Sequence, residues 1–332
     1  MLILGIDTSC DDTAASVVEN GNKIISNIVS SQNEIHEKYG GIVPELASRR
    51  HIEMIIPVVD EAMNESGAGF NDISAIAVSK GPGLIGSLLV GVCFAKALSF
   101  AKNIPLVAIN HLEGHIFSIF LEARPEFPFL ALVVSGGHTS FYVVSGFGIY
   151  SELGRTRDDA AGEAYDKVAK LLGFGYPGGP IIDSVAANGN ADAIKFPRGL
   201  IKESFDVSFS GLKTAVFNHL KKYPESKKED VAASFQSAVI EILINRAIEG
   251  ARLNKIKRVV LSGGVAANSV LRKQVRAKAF EQGIEVYLPS AHLCTDNAAM
   301  IAAAGYYHFE NKEIVDFTLN PKAYLPLGSA ND

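Results

Sequence analysis

Residues 129–137, Phe-Leu-Ala-Leu-Val-Val-Ser-Gly-Gly, join a short hydrophobic run directly to a glycine turn. A hydrophobic run followed by glycines recurs at residues 258–264 and 75–83. Longer stretches with helical periodicity separate these runs. Short β-branched runs that alternate with helical patterns predict an α/β fold. Because α/β sheets bind ligands where their strands end, we expect the glycine turns to line a ligand site.

The length of the chain, 332 residues, predicts two domains of roughly 150 residues each. Two Ser-Gly-Gly turns, at residues 135–137 and 262–264, are about a domain length apart and indicate a weak internal repeat. Pro125 and Pro128 favour a domain boundary, because proline ends a helix and opens an extended segment. We therefore predict an N-terminal domain of residues 1–123 plus 297–332, with a final helix over 297–309, and a C-terminal domain of residues 124–296.

The composition is that of an ordinary globular protein. Hydrophobic residues make up 48% and charged residues 20%, which excludes a disordered or collagen-like chain. The net charge of −5 provides no overall basic field, so an RNA partner requires a local basic patch. Residues 251–280 contain eight Lys and Arg side chains and no Asp or Glu. This segment is either a solvated helix face or a footprint for an RNA backbone.

Cysteine usage and the apolar segments predict a cytoplasmic location. Three cysteines without Cys-x-x-Cys spacing argue against a disulfide framework and favour a reducing compartment. The first six residues are too short an apolar run for a signal peptide and contain no basic residue. The longest apolar stretch, residues 87–101, contains Lys96 and falls short of the roughly 20 residues that span a bilayer. We therefore expect no membrane helix.

The pair His111 and His115 lies in a segment whose apolar residues predict a helix. Positions four apart lie within about 40° on one helix face, so both imidazoles can reach one metal ion; alternatively, each is satisfied locally. Asp296 is a candidate third ligand or, alternatively, a helix N-cap. Two His and a carboxylate suit Zn²⁺ or Fe²⁺. A zinc peptidase would need Glu directly after the first His, where this chain has Leu112.

Three turns contain further candidate residues. Residues 7–13, Asp-Thr-Ser-Cys-Asp-Asp-Thr, follow the first strand, and Asp11 is the acid/base candidate unless this is only a polar turn. Residues 133–139 and 261–268 bring glycine and backbone N–H groups toward an anion or a nucleotide, or else are plain structural turns. Residues 81–86 match Gly-x-Gly-x-x-Gly, but no acidic residue follows about 20 residues later, which argues against a Rossmann cofactor site.

Taken together and in this order, these motifs resemble those of the TsaD family of tRNA threonylcarbamoyltransferases, formerly known as glycoproteases. The resemblance covers nearly the whole chain and is carried by the strings at residues 5–13, 39–48, 111–115, 134–139, 208–214 and 294–297. It implies an actin-like ATPase (ASKHA) fold of two related lobes with a nucleotide and metal cleft between them. It also implies His111, His115 and Asp296 as metal ligands and Asp11 as the catalytic acidic residue. The implied nucleotide pocket consists of Val133, Val134, Ser135, Gly136, Gly137, His138, Asp166, Gly179, Asp183 and Asn268.

The resemblance further implies a reaction and its participants. The threonylcarbamoyl group passes from threonylcarbamoyl-AMP to N6 of the adenosine adjacent to the anticodon in tRNAs that read codons beginning with A, and AMP is released. One divalent ion, Fe²⁺ or Zn²⁺, is implied, as are a paralogue without the metal motif (TsaB type) and a small P-loop ATPase (TsaE type). Two positions depart from the family pattern: Asp12 stands where Glu is common, and Val133 stands where archaeal and eukaryotic relatives have a Tyr ligand.

Three other functions remain alternatives at this point. An ATP-dependent small-molecule kinase of the same fold class would use the glycine turns but leave His111 and His115 without a role. A metallopeptidase would use the metal but lacks its general base. A non-enzymatic, chaperone-like scaffold would need neither the two histidines nor Asp11.

Overall fold

A computed structural model describes residues 1–201 and 204–328. The chain forms two compact units, which we call the first domain (Met1–Arg124 and Asp296–Asp332) and the second domain (Pro125–Thr295). Each boundary lies one residue from the one expected from the sequence. As a result Asp296, which the sequence analysis assigned to the C-terminal domain, belongs to the first domain together with His111 and His115.

The first domain contains a five-stranded sheet in the order β3-β2-β1-β4-β5. Its strands are β1 (Leu2–Asp7), β2 (Asp12–Glu19), β3 (Lys23–Ser31), β4 (Ile73–Gly81) and β5 (Leu106–Asn110). β1 to β3 form an antiparallel meander, whereas β1, β4 and β5 run parallel. The carboxyl ends of β1, β4 and β5 therefore lie at the same edge of the sheet, where residues from distant parts of the sequence meet.

Four helices connect these strands or follow them. They are α1 (Asn33–Glu37), α2 (Pro44–Ser66), α3 (Ile85–Lys102) and α4 (His111–Phe117). The apolar faces of α2 and α3 pack against the sheet in one buried cluster that includes Val58, Val59 and Val92. α4 begins directly where β5 ends, so its first residue lies at the carboxyl edge of the sheet.

The second domain repeats the sheet of the first. Its strand order is β10-β9-β6-β7-β8, with strands β6 (Phe129–Val134), β7 (Thr139–Gly146), β8 (Ile149–Arg155), β9 (Arg258–Ser262) and β10 (Glu285–Tyr287). β6 to β8 form the meander, and β6, β9 and β10 run parallel. The helices are α5 (Ala161–Leu171), α6 (Gly178–Ala186), α7 (Ser210–Lys222), α8 (Lys228–Leu253), α9 (Ser269–Phe280) and α10 (Ala291–Cys294).

The duplication lies in this shared sheet topology and not in the two Ser-Gly-Gly turns. Both turns belong to the second domain and follow β6 and β9, which are parallel neighbours with Val133 opposite Ser262. The spacing of the two turns is therefore not the period of the duplication. By topology, their counterparts in the first domain are the turn after β1 and the turn after β4.

The last helix, α11 (Ala298–Glu310), packs on β1, β2 and β4 of the first domain. Two glycines make this close packing possible. A Cβ at Gly5 would lie 2.3 Å from the carbonyl oxygen of Ala298, and one at Gly305 would lie 2.4 Å from Cβ of Ala77. α11 therefore rests almost directly on the backbone of the sheet, and it carries the residues just before it to the same edge.

α3 and α8 are long and apolar enough to cross a membrane by length and composition, with mean hydropathies of 1.5 and 1.3. About four fifths of the apolar window of α8 is buried within the second domain. One face of α3 contributes Leu88, Val92 and Ala95 to the buried residues of the first domain. Packing inside the second domain thus accounts for the apolar composition of α8, whereas only a third of the window of α3 is buried.

Candidate metal centre and glycine turns

His111 and His115 lie on one face of α4, as their spacing predicted. Asn110 caps the helix, because its Oδ1 accepts a hydrogen bond from the backbone N–H of Leu112 at 2.9 Å. Both imidazoles are buried, and their ring centroids are 4.7 Å apart. The helix therefore presents two imidazoles side by side at the carboxyl edge of the first sheet.

Asp296 joins this pair from the far end of the chain. Its Oδ1 lies 3.6 Å from Nε2 of His111 and 3.2 Å from Nε2 of His115. One potential ligand atom from each of the three residues lies within 4.8 Å of the others. Asp296 is not the N-cap of α11, since that role falls to Asn297, whose Oδ1 accepts from Met300 N–H at 3.1 Å. The three residues named from the sequence thus form one cluster.

The cluster fits a divalent metal ion. Both ring nitrogens of His115 are buried and have no hydrogen-bond partner among the described residues. A buried polar atom without a partner costs about 1–3 kcal/mol, which coordination of His115 Nε2 to an ion would offset at that nitrogen. Two imidazoles and one carboxylate are a donor set for Zn²⁺ or Fe²⁺, and they leave coordination positions open for a ligand.

Asp7 supports His111 from behind. Its Oδ1 accepts hydrogen bonds from the Ser9 N–H at 3.0 Å and from the Ser79 hydroxyl at 2.8 Å, while Oδ2 lies 3.3 Å from His111 Nδ1. Burial lowers the pKa of His111, but the negative charges of Asp7 and Asp296 outweigh burial and raise the pKa to about 9. No sequence motif assigned a role to Asp7. The available signal was that Asp7 ends β1, in the same parallel part of the sheet as β5, which leads into α4.

Glu113 points away from the two histidines, as expected for a residue on the opposite helix face. Its Oε2 lies 2.8 Å from Nε2 of His308 on α11, and Nδ1 of His308 lies 2.5 Å from Oε2 of Glu313. This carboxylate joins α4 to α11 and is not available to activate a metal-bound water. The metallopeptidase alternative therefore lacks the glutamate base that such enzymes carry on the metal-binding helix.

Asp11 ends the turn between β1 and β2, and Asp12 is the first residue of β2; both lie in the same domain as the metal cluster. Burial raises the pKa of Asp11, and the negative charge of Asp296 raises it further. Burial, together with the charge of Asp11, raises the pKa of Asp12 to about 7. The charges of Asp11 and Asp12 thus interact with that of Asp296, and a divalent cation at Asp296 would relieve this repulsion.

In the second domain, Val133 and Val134 end the buried strand β6 and lead into the turn at residues 135–138. The Ser135 N–H donates to the His138 carbonyl at 2.8 Å, and the His138 N–H donates to Ser135 Oγ at 3.2 Å. These two hydrogen bonds close the turn of the hairpin that β6 and β7 form. The adjacent strand β9 ends in the turn that leads to Asn268, so the two glycine turns named from the sequence lie at neighbouring strand ends.

Four glycines in these turns and in α6 have no neighbouring atoms that would exclude a larger side chain. A Cβ at Gly136, Gly137, Gly179 or Gly264 would meet no atom of the described chain within 4 Å, and none of the four has the left-handed backbone conformation that favours glycine. A bare backbone that faces open space allows a ligand to approach its N–H groups closely. These glycines fit the ligand site predicted at the strand ends.

Asp166, Asp183 and Asn268 hold the helices that surround these turns. Asp166 Oδ1 accepts from the Gly178 N–H at 2.7 Å, and Asp183 accepts from the N–H and the hydroxyl of Ser269 at 2.9 and 3.0 Å. Asn268 caps α9 through its Oδ1 and donates from Nδ2 to Gln236 at 2.7 Å. Each of these side chains therefore forms a hydrogen bond within the protein, and the predicted contact with a ligand would be an additional one.

Asp158 is a residue that no motif in the sequence singled out. Its carboxylate accepts from the hydroxyls of Ser208 and Ser210, at 2.5 and 2.7 Å, and from the backbone N–H of Phe209 at 2.8 Å. It thereby fixes the start of α7, which carries the string at residues 208–214. The repeated serines of that string were the only sequence signal for a shared acceptor.

The chain is similar in sequence to proteins of one known family. The model of the TsaD family, described as tRNA N6-adenosine threonylcarbamoyltransferase, matches residues 23–303. The chain belongs to the TsaD family. A protein of this name from Thermodesulfovibrio yellowstonii is 59% identical over 98% of this chain and 100% of its own, and one from Syntrophus aciditrophicus is 50% identical over 99% of both.

Solved structures with low sequence identity share the fold. The activator of 2-hydroxyisocaproyl-CoA dehydratase from Clostridium difficile, solved with bound ADPNP, aligns with a TM-score of 0.55 at 17% identity, over 94% of this chain and 97% of its own. HypF of T. kodakarensis aligns with a TM-score of 0.64 at 16% identity, over 93% of this chain and 48% of its own. The fold is that of the actin-like ATPases, as the family resemblance implied.

Proposed function

We propose that the protein transfers the threonylcarbamoyl group from threonylcarbamoyl-AMP to N6 of the adenosine adjacent to the anticodon in tRNAs that read codons beginning with A, and releases AMP. The observation that carries this proposal is the convergence of His111, His115 and Asp296 in a chain of the TsaD family. The kinase alternative gives these three residues no task, and the peptidase alternative lacks a base.

The metal in this proposal is Fe²⁺ or Zn²⁺, held by His111, His115 and Asp296. When bound, it polarises an oxygen of the substrate as a Lewis acid. Asp7 fixes the ring of His111, and the buried surroundings of the two imidazoles keep water from competing for them.

Asp11 is the proposed base. The exocyclic amine of adenosine is a weak nucleophile, so the transfer requires a group that removes a proton as the new bond forms. The N6–carbonyl bond forms, the bond between the carbamoyl carbon and the phosphate oxygen breaks, and AMP leaves with that electron pair. The N6 proton passes to the Asp11 carboxylate, whose raised pKa makes it a stronger base than an ordinary exposed aspartate.

The AMP part is assigned to the second domain. The proposed pocket is lined by Val133, Val134 and the turn at residues 135–138, with Gly179, Asp166, Asp183 and Asn268 around it. Backbone N–H groups next to the open glycines would donate to phosphate oxygens. Asp183 keeps lone pairs beyond those used by Ser269 and would accept from ribose hydroxyls.

The basic segment is a candidate for the tRNA surface, but some of its cations bond to other parts of the second domain. Arg272 donates to the Ala266 carbonyl at 3.1 Å, and Arg258 pairs with Glu126, so these two cations have structural partners. Lys255 and Lys257 precede β9, whereas Lys273 and Arg276 lie on α9 after it. We assign the tRNA footprint to Lys273 and Arg276, which follow the glycine turn.

Two partner proteins and a compartment complete the proposal. The exposed apolar residues Ile52 and Ile56 of α2 and Ile85 and Leu89 of α3 are the proposed contact for the TsaB-type paralogue. A small P-loop ATPase of TsaE type is the second partner. The absence of Cys-x-x-Cys spacing from the sequence favours the cytoplasm.

The decisive experiment is a reconstituted reaction. Purified protein with its partner proteins, tRNA and threonylcarbamoyl-AMP is expected to yield modified adenosine, and Asp11→Ala is expected to abolish it while the circular dichroism spectrum stays unchanged. Full activity of Asp11→Ala would remove the role assigned to this residue. Full activity of the double variant His111→Ala/His115→Ala would favour a metal-independent reaction instead.

A further inference from the structure

His51 is a buried histidine whose two ring nitrogens contact the turn between β1 and β2 and the start of β2. It lies on α2 and is fully buried. Its Nε2 lies 3.0 Å from the carbonyl oxygen of Cys10, and its Nδ1 lies 2.8 Å from Oγ1 of Thr13. The two contacts therefore bracket the two residues between them, Asp11 and Asp12.

The partners determine which nitrogen of His51 carries the proton. The Cys10 carbonyl can only accept, so Nε2–H donates to it. Burial lowers the pKa of His51, which favours the neutral ring. In the neutral ring Nδ1 carries no proton, so it accepts from the hydroxyl of Thr13.

The rest of the turn is attached to a different helix. The hydroxyl of Thr8 donates to the Ser87 carbonyl at 2.8 Å, and the Leu84 N–H donates to the Ser9 carbonyl at 2.8 Å. A Cβ at Gly91 would lie 2.4 Å from Oγ1 of Thr8, so this half of the turn lies hard against α3. The half that contains Asp11 is bonded to α2 instead, through His51.

We propose that His51 is a positioning residue for the transfer reaction, because its ring closes a bridge across the turn and fixes the direction in which the Asp11 carboxylate points. This inference rests on the proposed function, in which Asp11 is the base. Loss of the ring would leave the Cys10 carbonyl and the buried Thr13 hydroxyl without these bonds, and the turn would relax. A displacement of a reacting group by about 1 Å can cost roughly 100-fold in rate.

Two measurements on the same variants test this role. In the reconstituted reaction, His51→Ala is expected to lower the turnover number about 10- to 100-fold with an unchanged KM for tRNA. By hydrogen exchange and mass spectrometry, the amides of residues 10–13 are expected to exchange faster, while those of residues 14–18 in β2 stay as in the wild type. His51→Gln, which keeps a donor near the position of Nε2, is expected to recover part of the turnover.

A second variant keeps the test valid if His51→Ala does not fold. Thr13→Val keeps the volume of the side chain and removes only the hydroxyl, so a smaller change in the same direction is expected for both measurements. His219→Gln is the control, because this half-buried histidine of the second domain bonds Ser226 at 3.0 Å and is expected to leave both quantities unchanged.

The outcomes separate this inference from the proposed function. Wild-type exchange at residues 10–13 in His51→Ala overturns the inference, as does faster exchange with wild-type turnover. If either result accompanies an inactive Asp11→Ala protein, the proposed function stands and only the role of His51 falls. Full turnover in Asp11→Ala removes the catalytic base, and the inference falls with it.

Discussion

Oδ2 of Asp7 lies 3.3 Å from Nδ1 of His111, and the other oxygen of the Asp7 carboxylate is held by the Ser9 N–H and the Ser79 hydroxyl. A carboxylate held beside Nδ1 favours a proton on that nitrogen, while Nε2 faces Asp296. Histidines that bind metals commonly donate their second N–H in this way, and loss of the acceptor weakens metal binding. Asp7 thus acts on the metal site through His111.

Replacing Asp7 with Asn is expected to weaken Zn²⁺ binding about 10- to 100-fold. The amide of Asn has no negative charge with which to hold the Nδ1 proton. The dissociation constant is measured by competition with a chromogenic chelator. Glu113→Gln is the matched control, because Glu113 lies on the same helix but bonds His308; equal losses in both variants would contradict a specific role for Asp7.

His308 is expected to make the stability of the protein depend on pH above neutrality. Burial lowers its pKa, but its bonds to Glu113 and Glu313 outweigh burial and raise the pKa to about 9. A pKa above the unfolded value of about 6.5 stabilises the fold fully below that value, and this contribution is lost as the pH rises through about 9.

The measurement is the free energy of unfolding of wild type and His308→Gln from pH 6 to pH 10. The wild type is expected to exceed the variant by about 1–3 kcal/mol at pH 6, and the difference is expected to shrink toward pH 10. A difference that stays constant over this range would show that His308 contributes by packing and not by charge.

Alanine at the open glycines is expected to interfere with nucleotide binding and not with folding. Gly136→Ala and Gly179→Ala each place a methyl group where the described chain has no atom within 4 Å. AMP affinity, measured by calorimetry, is expected to fall about tenfold or more, which corresponds to about 1.4 kcal/mol, at an unchanged melting temperature. Gly211→Ala, an equally open position on α7, is the control and is expected to bind AMP normally.

Charge reversal of Lys273 and Arg276 together is expected to weaken tRNA binding and to reduce its salt dependence. Each lost phosphate contact lowers the slope of log affinity against log salt by about 0.7 to 0.9. The control is the same reversal of Lys255 and Lys257, at the other end of β9. If the control pair weakens binding as much as the test pair, the assignment of the footprint to α9 is wrong.

The sequence by itself determined the local parts of the candidate site. Helical periodicity placed His111 and His115 on one face, and the glycine pattern located the turns after β6 and β9, because both properties depend on residues close together in the chain. These features need no knowledge of how distant segments meet.

Only the tertiary structure decided which distant residues meet. Asp7 and Asp296 join the histidines because β1, β4 and β5 end at one edge of a parallel sheet and α11 packs on that sheet. It also showed that the repeat is one of strand order and not of Ser-Gly-Gly turns. Pairing of strands and packing of helices bring together residues hundreds of positions apart, and no periodicity within a single segment records those contacts.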